Sequence, residues 1–209
     1  MARFSSSFKR RWARKGKMSY SYLSGDGVPI AQPLFQMDGD GVIPISPLQF
    51  QFQEIDVPTA IELNQLWHSR LPRVIRGNID RNRHKVCYAA EFGNRFYASA
   101  IWTTPVAANR FADGFNMLEL RRLAISNIAP RNTASRFISW MVKDIKIRFP
   151  EVKVLISYQD TEVHLGTIYK AAGWSPVAKS NGGEWNRELR PRVASQTIAE
   201  KIRWEKKIN

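Results

Sequence analysis

The stretch VKVLISY, residues 152–158, is the feature that most constrains this chain, because a strand apolar on successive positions must be covered on both faces. The segments before it supply that cover. Ala134, Phe137, Ile138, Met141 and Ile145 recur at helical spacing on one face of an amphipathic helix, with Arg136, Lys143 and Lys146 elsewhere. Ahead of the helix, NMLELRRLAIS reads as a further strand that runs into a loop containing Pro130. Strand, loop, helix and buried strand in succession indicate an α/β fold with a mixed central sheet flanked by helices.

Upstream, LQFQFQEI alternates with period two, as a half-buried strand requires. Residues 57–68 show helical spacing through Ile61, Leu63, Leu66 and Trp67, and Pro58 suits a first helical turn. KVCYAAEF and RFYASAIWTTPV flank Gly93-Asn94 and predict an antiparallel hairpin. Downstream, residues 167–172 form a short helix closed by Gly173, and a last strand falls within residues 174–189.

With 209 residues and 44% apolar content, the chain suits one domain with extensions. The expected division is a basic arm and Gly/Pro-rich linker over 1–47, a core domain over 48–190 and a basic tail over 191–209. The tail (IAEKIRWEKKI) mixes helix formers with cations and is compatible with an amphipathic helix. Thirty-two Lys and Arg against eighteen Asp and Glu leave a formal charge of +14, which favours a polyanionic partner, nucleic acid first. Residues 1–18 carry seven basic residues and no acidic one, including Lys9, Arg10 and Arg11, with Phe4, Phe8 and Trp12 between them. This is the interleaved pattern of a nucleic-acid-binding tail, and equally that of a solvated, charged one. No apolar run spans a membrane and no signal peptide opens the sequence, so the expected location is cytoplasmic, without a membrane partner. Cys87 lies within an apolar run and reads as a buried strand thiol rather than a nucleophile.

The element order over residues 48–189 resembles the GNAT N-acetyltransferase fold. In that resemblance LELRRLAISNIAPRNTASRFISWM takes the place of the strand, loop and helix that hold a cosubstrate pyrophosphate, and IYKAAGW that of the late helix with its Tyr. The combination RLAI, NTAS, SYxD, HxGT and YxAxGW is similar to the Mom DNA-modification proteins of Mu-like phages. The resemblance implies a transferase that converts the N6 amine of adenine in DNA to a carbamoylmethyl-amine, shielding phage DNA from restriction. N6 is a poor nucleophile held in a base pair, so the target must be single-stranded or flipped out of double-stranded DNA. A GNAT-type acetyltransferase acting on a protein or small amine, or a non-catalytic nucleic-acid-binding protein, is the alternative.

The candidate residues follow from this. Asn132, Thr133, Ala134 and Ser135 open the long helix, where open amides and the helix dipole suit a phosphate, although Asn132 or Thr133 acting as an ordinary N-cap accounts for the same residues. The usual glycine-rich loop is missing here, which disfavours acetyl-CoA and makes Arg131 or Arg136 the holder of another phosphate-bearing donor. Tyr169 matches the GNAT general acid, or is a core tyrosine with one satisfied hydroxyl. Ser157, Tyr158 and Asp160 sit at the carboxyl end of the buried strand, where open α/β sheets bind ligands. Asp160 is a proton acceptor, a metal ligand or a turn cap. Asp160 and Tyr169 are expected to flank the extruded purine. His68 closes the first helix and ranks with Asp160, above His164 and His84, as a base; a metal such as iron needs His68, Asp160 and His164 to converge. Arg70, Arg73, Arg76, Arg81, Arg83 and Lys85 crowd the stretch around Gly77-Asn78 and read as a phosphate-contacting loop lining the cleft.

Overall fold

In a computed structural model of the chain, residues 43–68, 71–107, 116–163, 165–181 and 199–208 are described here. Among the described residues, seven strands form one sheet in the order β1-β2-β3-β4-β5-β7-β6. A 3-10 turn over Pro47–Gln49 is closed by a Ser46/Gln49 capping box. It leads into β1 (Gln51–Ile55), and Asp56 then caps α1 (Val57–Trp67) by accepting the Thr59 amide at 2.8 Å. The short helix α2 (Arg76–Asp80) precedes β2 (Lys85–Phe92) and β3 (Arg95–Thr103). Between β2 and β3, Gly93 and Asn94 both adopt positive φ, +57° and +61°, the two-residue hairpin expected from the sequence. β4 (Met117–Ile125), α3 (Thr133–Arg148), β5 (Val154–Asp160), α4 (Thr167–Ala171), β6 (Ser175–Ser180) and β7 (Lys201–Lys207) complete the order.

All pairings are antiparallel except β4 with β5, which are parallel and joined through α3. The strands divide their side chains between two cores. Ala98, Ala100 and Trp102 of β3 join Leu118, Leu155, Phe137, Met141 and Trp204 under α3. Ile101 and Cys87 point the other way, onto Ala60 and Ile61 of α1 and Ile79 of α2. VLISY is thus covered on its first half from both sides, as its composition requires.

Two expectations need correcting. The described part of the tail is a strand rather than a helix: Lys201–Lys207 is β7, inserted between β5 and β6 with partners on both edges. Its Ile202 and Trp204 face the α3 core while Lys201, Arg203 and Glu205 alternate onto the opposite, α1 face, where they are half-buried, so ladder bonds and tryptophan burial override the helix propensity of Glu and Lys. The basic stretch after α1 is not all loop either. Gly77 and Asn78 lie inside α2, which Ile79, wholly buried, pins to the sheet.

Candidate active site

β4 and β5 pair over four positions only, Met117↔Val154 to Leu120↔Ser157. Beyond that point β4 continues against β3 as far as Ile125, and β5 continues against β7 as far as Asp160. The two central strands therefore part, leaving a fork open toward their carboxyl ends. A bulge coincides with the parting: Trp102 pairs Leu120 and Ile101 pairs Arg122, so Arg121 has no partner position on β3. At the crotch, the Ser157 hydroxyl donates to the Leu120 carbonyl (3.3 Å) and lies 2.9 Å from the Tyr169 hydroxyl.

The α3 side of the fork is built of aromatics. Tyr169, 6% exposed, stacks on Trp204 (5.4 Å between centroids) and leans on Trp174. Trp204 is fixed in turn by its indole N–H, which donates to Gln159 Oε1 at 2.7 Å. Burial raises the Tyr169 pKa against the opposing effect of the Ser157 hydrogen bond, so the phenol keeps its proton at neutral pH.

The α1 side is charged. The bulge brings Arg122 onto the face of Glu119, and strand alternation places Tyr158, Asp160 and Lys201 there too. Glu119, 8% exposed, accepts the Val106 amide at 3.0 Å. Arg122 Nη1 donates to the Arg121 carbonyl, and among the described residues its buried Nε has no acceptor. Burial, then the like charge of Arg121, pulls the Arg122 guanidinium down to about 10 against the pull of Glu119. Lys201 is lowered by burial and by Arg122, with Asp160 and Glu119 opposing. Asp160 does cap its turn, accepting the Glu162 amide at 3.0 Å through Oδ1.

Asp160 and Tyr169 thus reach the same sheet edge from opposite faces, because Asp160 lies three positions, an odd number, beyond Ser157 on a strand of period two. They do not flank one pocket, and only the fork joins their two sides. Ser157 goes with Tyr169, and Tyr158 goes with Asp160. Glu119, Arg122 and Lys201 escaped the sequence reading. Four consecutive positions, Glu119 to Arg122, hold three charges inside an apolar strand, the one available signal, but only the bulge sets Arg122 beside Glu119.

At the start of α3, Asn132 adopts a left-handed conformation (φ +68°) and makes no side-chain cap. Thr133 Oγ turns back to the Pro130 carbonyl and Ser135 Oγ to that of Asn132, so neither caps the amides of the first turn. Asn132 is thus the N-cap by position without a side-chain cap bond, and the Thr133 amide donates to the Pro130 carbonyl at 3.3 Å. Arg131 is exposed at this turn, Ala134 is half-buried, and Arg136 is engaged over the Phe52 ring at 5.8 Å.

The basic stretch divides. Arg121 donates to the Asn78 carbonyl, tying α2 to β4, and α2 carries exposed Arg76, ion-paired with Asp80 at 3.0 Å, ahead of Arg81. Arg73 is exposed before this helix. Arg83 instead lines a recess of about 230 Å³ with His84, Asn116 and Glu151, at the amino ends of β4 and β5 and so away from the fork. Lys85 starts β2 at that same edge. His84 stacks on Phe149 and reaches Glu151 at 3.2 Å. His68 ends α1, its amide bonded to the Asn64 carbonyl. Lys9, Arg10, Arg11, Arg70 and His164 lie outside the described residues, and with His164 goes the proposed metal trio. Among the described residues no three His, Cys, Asp or Glu side chains converge on a metal-sized site, and no helix is long and apolar enough to cross a membrane.

A sheet of this order, opened between a parallel β4 and β5 with a helix N-terminus at the opening, is the fold of the GNAT acyltransferases. The fold is shared at low sequence identity with the ribosomal-protein-S18-alanine N-acetyltransferase of Escherichia coli (TM-score 0.52, 12% identity, 76% of this chain and 94% of that one). It is shared likewise with a GNAT-family acetyltransferase of Streptococcus pneumoniae (0.55, 9%, 77% and 99%) and a Bacillus subtilis acetyltransferase in complex with CoA (0.53, 9%, 77% and 99%). Within that fold, the chain belongs to the Mom protein family, which matches residues 94–208. The methylcarbamoylase mom of Escherichia phage Mu is 29% identical over 84 residues, 37% of this chain, and the match spans 35% of the length of that relative.

Proposed function

We propose that the chain is a DNA-modifying transferase that attaches a carbamoylmethyl group to the N6 amine of adenine, a change that would protect the DNA from restriction. The observation that carries this reading is the fork itself, with a protonated phenol on one side and a carboxylate on the other. Family membership, the likeness to the phage Mu protein and the charge of +14 support DNA as the acceptor.

In this reading adenine, flipped from a duplex or presented on a single strand, lies on the Tyr158 and Asp160 side. N6 attacks the donor's methylene carbon through the gap; the N6–carbon bond forms as the bond from that carbon to its carrier breaks. Asp160 takes the N6 proton and Tyr169 protonates the departing atom. Arg122 and Lys201 stabilise negative charge that develops at the donor carbonyl. The first turn of α3 and Arg131 fit a phosphate-bearing donor, whose role when bound is to supply the activated carbon. Ala134 in place of glycine keeps the backbone farther from a pyrophosphate than in a glycine-rich loop.

The test is mass spectrometry of nucleosides from DNA of cells expressing the chain. Deoxyadenosine bearing one carbamoylmethyl group is expected; soluble, expressed protein with unmodified deoxyadenosine would refute the proposal. The GNAT fold favours one second reading, acetyl transfer to a protein or small amine. Acetylation of a peptide amine by the purified chain and acetyl-CoA would establish it.

A further inference from the structure

Among the described aromatic side chains, Tyr158 alone is exposed rather than buried or half-buried, at 36%. A tyrosine at a surface is ordinary, because its hydroxyl favours water, so its place in the fold must decide. That place is the mouth of the fork. Ser157 is the last position at which β5 pairs with β4, and Tyr158 is the next residue, on the opposite face of the strand. Its cross-strand partner on β7 is Arg203, whose Nε lies 2.9 Å from Glu205 Oε1. Strand β7 holds β5 from Val154 to Asp160, past the point where β4 leaves it, so the phenol stands on a paired strand.

The face that carries Tyr158 changes character beyond β4. Over β2, β3 and β4 it is covered, because α1 packs on all three. Further along, the register sets Tyr158 and Asp160 of β5 beside Lys201, Arg203 and Glu205 of β7 and Ala178 and Ser180 of β6. Charges of both signs occur there, so net charge selects no ligand on this face. An aromatic ring two positions from a carboxylate does select one. Two strand residues span about 7 Å, within reach of a single flat heterocycle that offers its ring face to the phenol and an N–H donor to the carboxylate.

We infer that Tyr158 is the platform on which the target adenine stacks, holding the purine by its ring face while the N6 edge meets Asp160, which rests on the reading of the fork as an adenine site. A base taken out of its stack loses contacts on both faces, and an aromatic side chain restores one of them. The ring carries this role and the hydroxyl does not. Tyr158 therefore tells a base from a bare sugar-phosphate without taking part in the chemistry.

The probe is a short single strand of abasic nucleotides carrying one deoxyadenosine, compared with the all-abasic strand by fluorescence anisotropy on the full chain. Wild type should bind the adenine-bearing strand about tenfold more tightly, as one stacked base provides. Y158F should keep that preference to within about twofold, and Y158L should reduce it to about twofold or less. Affinity for the all-abasic strand should change by less than about twofold in both variants, because phosphate contacts dominate it. Leucine retains apolar bulk at a position open to solvent, so the thermal midpoint of Y158L should match wild type. A wild-type chain without the preference, or Y158L with it intact, would overturn the stack. Loss in Y158F equal to that in Y158L would move the role to the hydroxyl and overturn it too. A lowered midpoint in Y158L, or equal weakening on both strands, would make Tyr158 a structural residue instead. Nucleoside analysis separates the two levels: modified deoxyadenosine without the preference removes the stack alone, whereas unmodified deoxyadenosine from soluble, expressed protein removes the adenine site and the stack with it.

Discussion

Tyr169 carries most of the chemistry assigned to the fork, and its substitution separates function from folding. Tyr169→Phe removes one hydrogen bond, to Ser157, at a cost of about 1 kcal/mol, yet should lower modification about 10²- to 10⁴-fold. The paired measurements are modified deoxyadenosine per cell and the thermal midpoint; activity near wild type would return Tyr169 to the role of a core residue. Gly166→Ala should act in the opposite sense, on stability. At φ +71° with Gln159 and Trp204 in the way, the methyl group costs about 1–3 kcal/mol, read as a lower midpoint in thermal denaturation. Cys87 was legible from its flanking residues, and burial raises its pKa from 9.0 to about 12. A proton held more tightly in the folded state stabilises it fully below pH 9 and progressively less as pH climbs toward 12. Cys87→Ala should therefore flatten the loss of thermal midpoint between about pH 9 and 11, where wild type declines. Arg122 was not legible in this way, because its face depends on a bulge decided by pairing with β3.

Among the elements, β7 departs furthest from expectation, and that difference has a consequence in the laboratory. A helical tail could be cut away with little loss; an inner strand cannot. Truncation after residue 199 should abolish the cooperative unfolding transition, since it strips ladder partners from both β5 and β6. Trp204→Ala alone should cost about 3–5 kcal/mol, measured by urea denaturation, because the indole is 2% exposed and packs on Tyr169. The same strand was hard to read because its apolar residues are few: Ile202 and Trp204 alternate among cations, and that short pattern competes with a strong helical propensity. The hairpin at Gly93-Asn94 and helix α1 were readable because their signals are local, a φ-permissive dipeptide in one case and a capped 3.6-residue period in the other.

For the molecule as a whole, the charge of +14 and the fork make complementary demands, one for a polyanion and the other for a small acceptor. Deletion of residues 1–18 removes seven cations and should weaken duplex binding while flattening its dependence on salt, measured by fluorescence anisotropy across a salt series. An unaltered slope would reduce the arm to a solubility tail. What the amino-acid order determined unaided is what short-range physics governs: the identity of most elements, the buried run of β5, the hairpin, the buried thiol and the basic balance. Tertiary structure alone decided where β4 and β5 part, that a bulge sets Arg122 beside Glu119, that β7 enters the sheet, and that Asp160 and Tyr169 approach the opening from opposite faces. Each of these depends on which strand lies next to which, and pairing between residues far apart in the chain leaves no periodic trace within either segment.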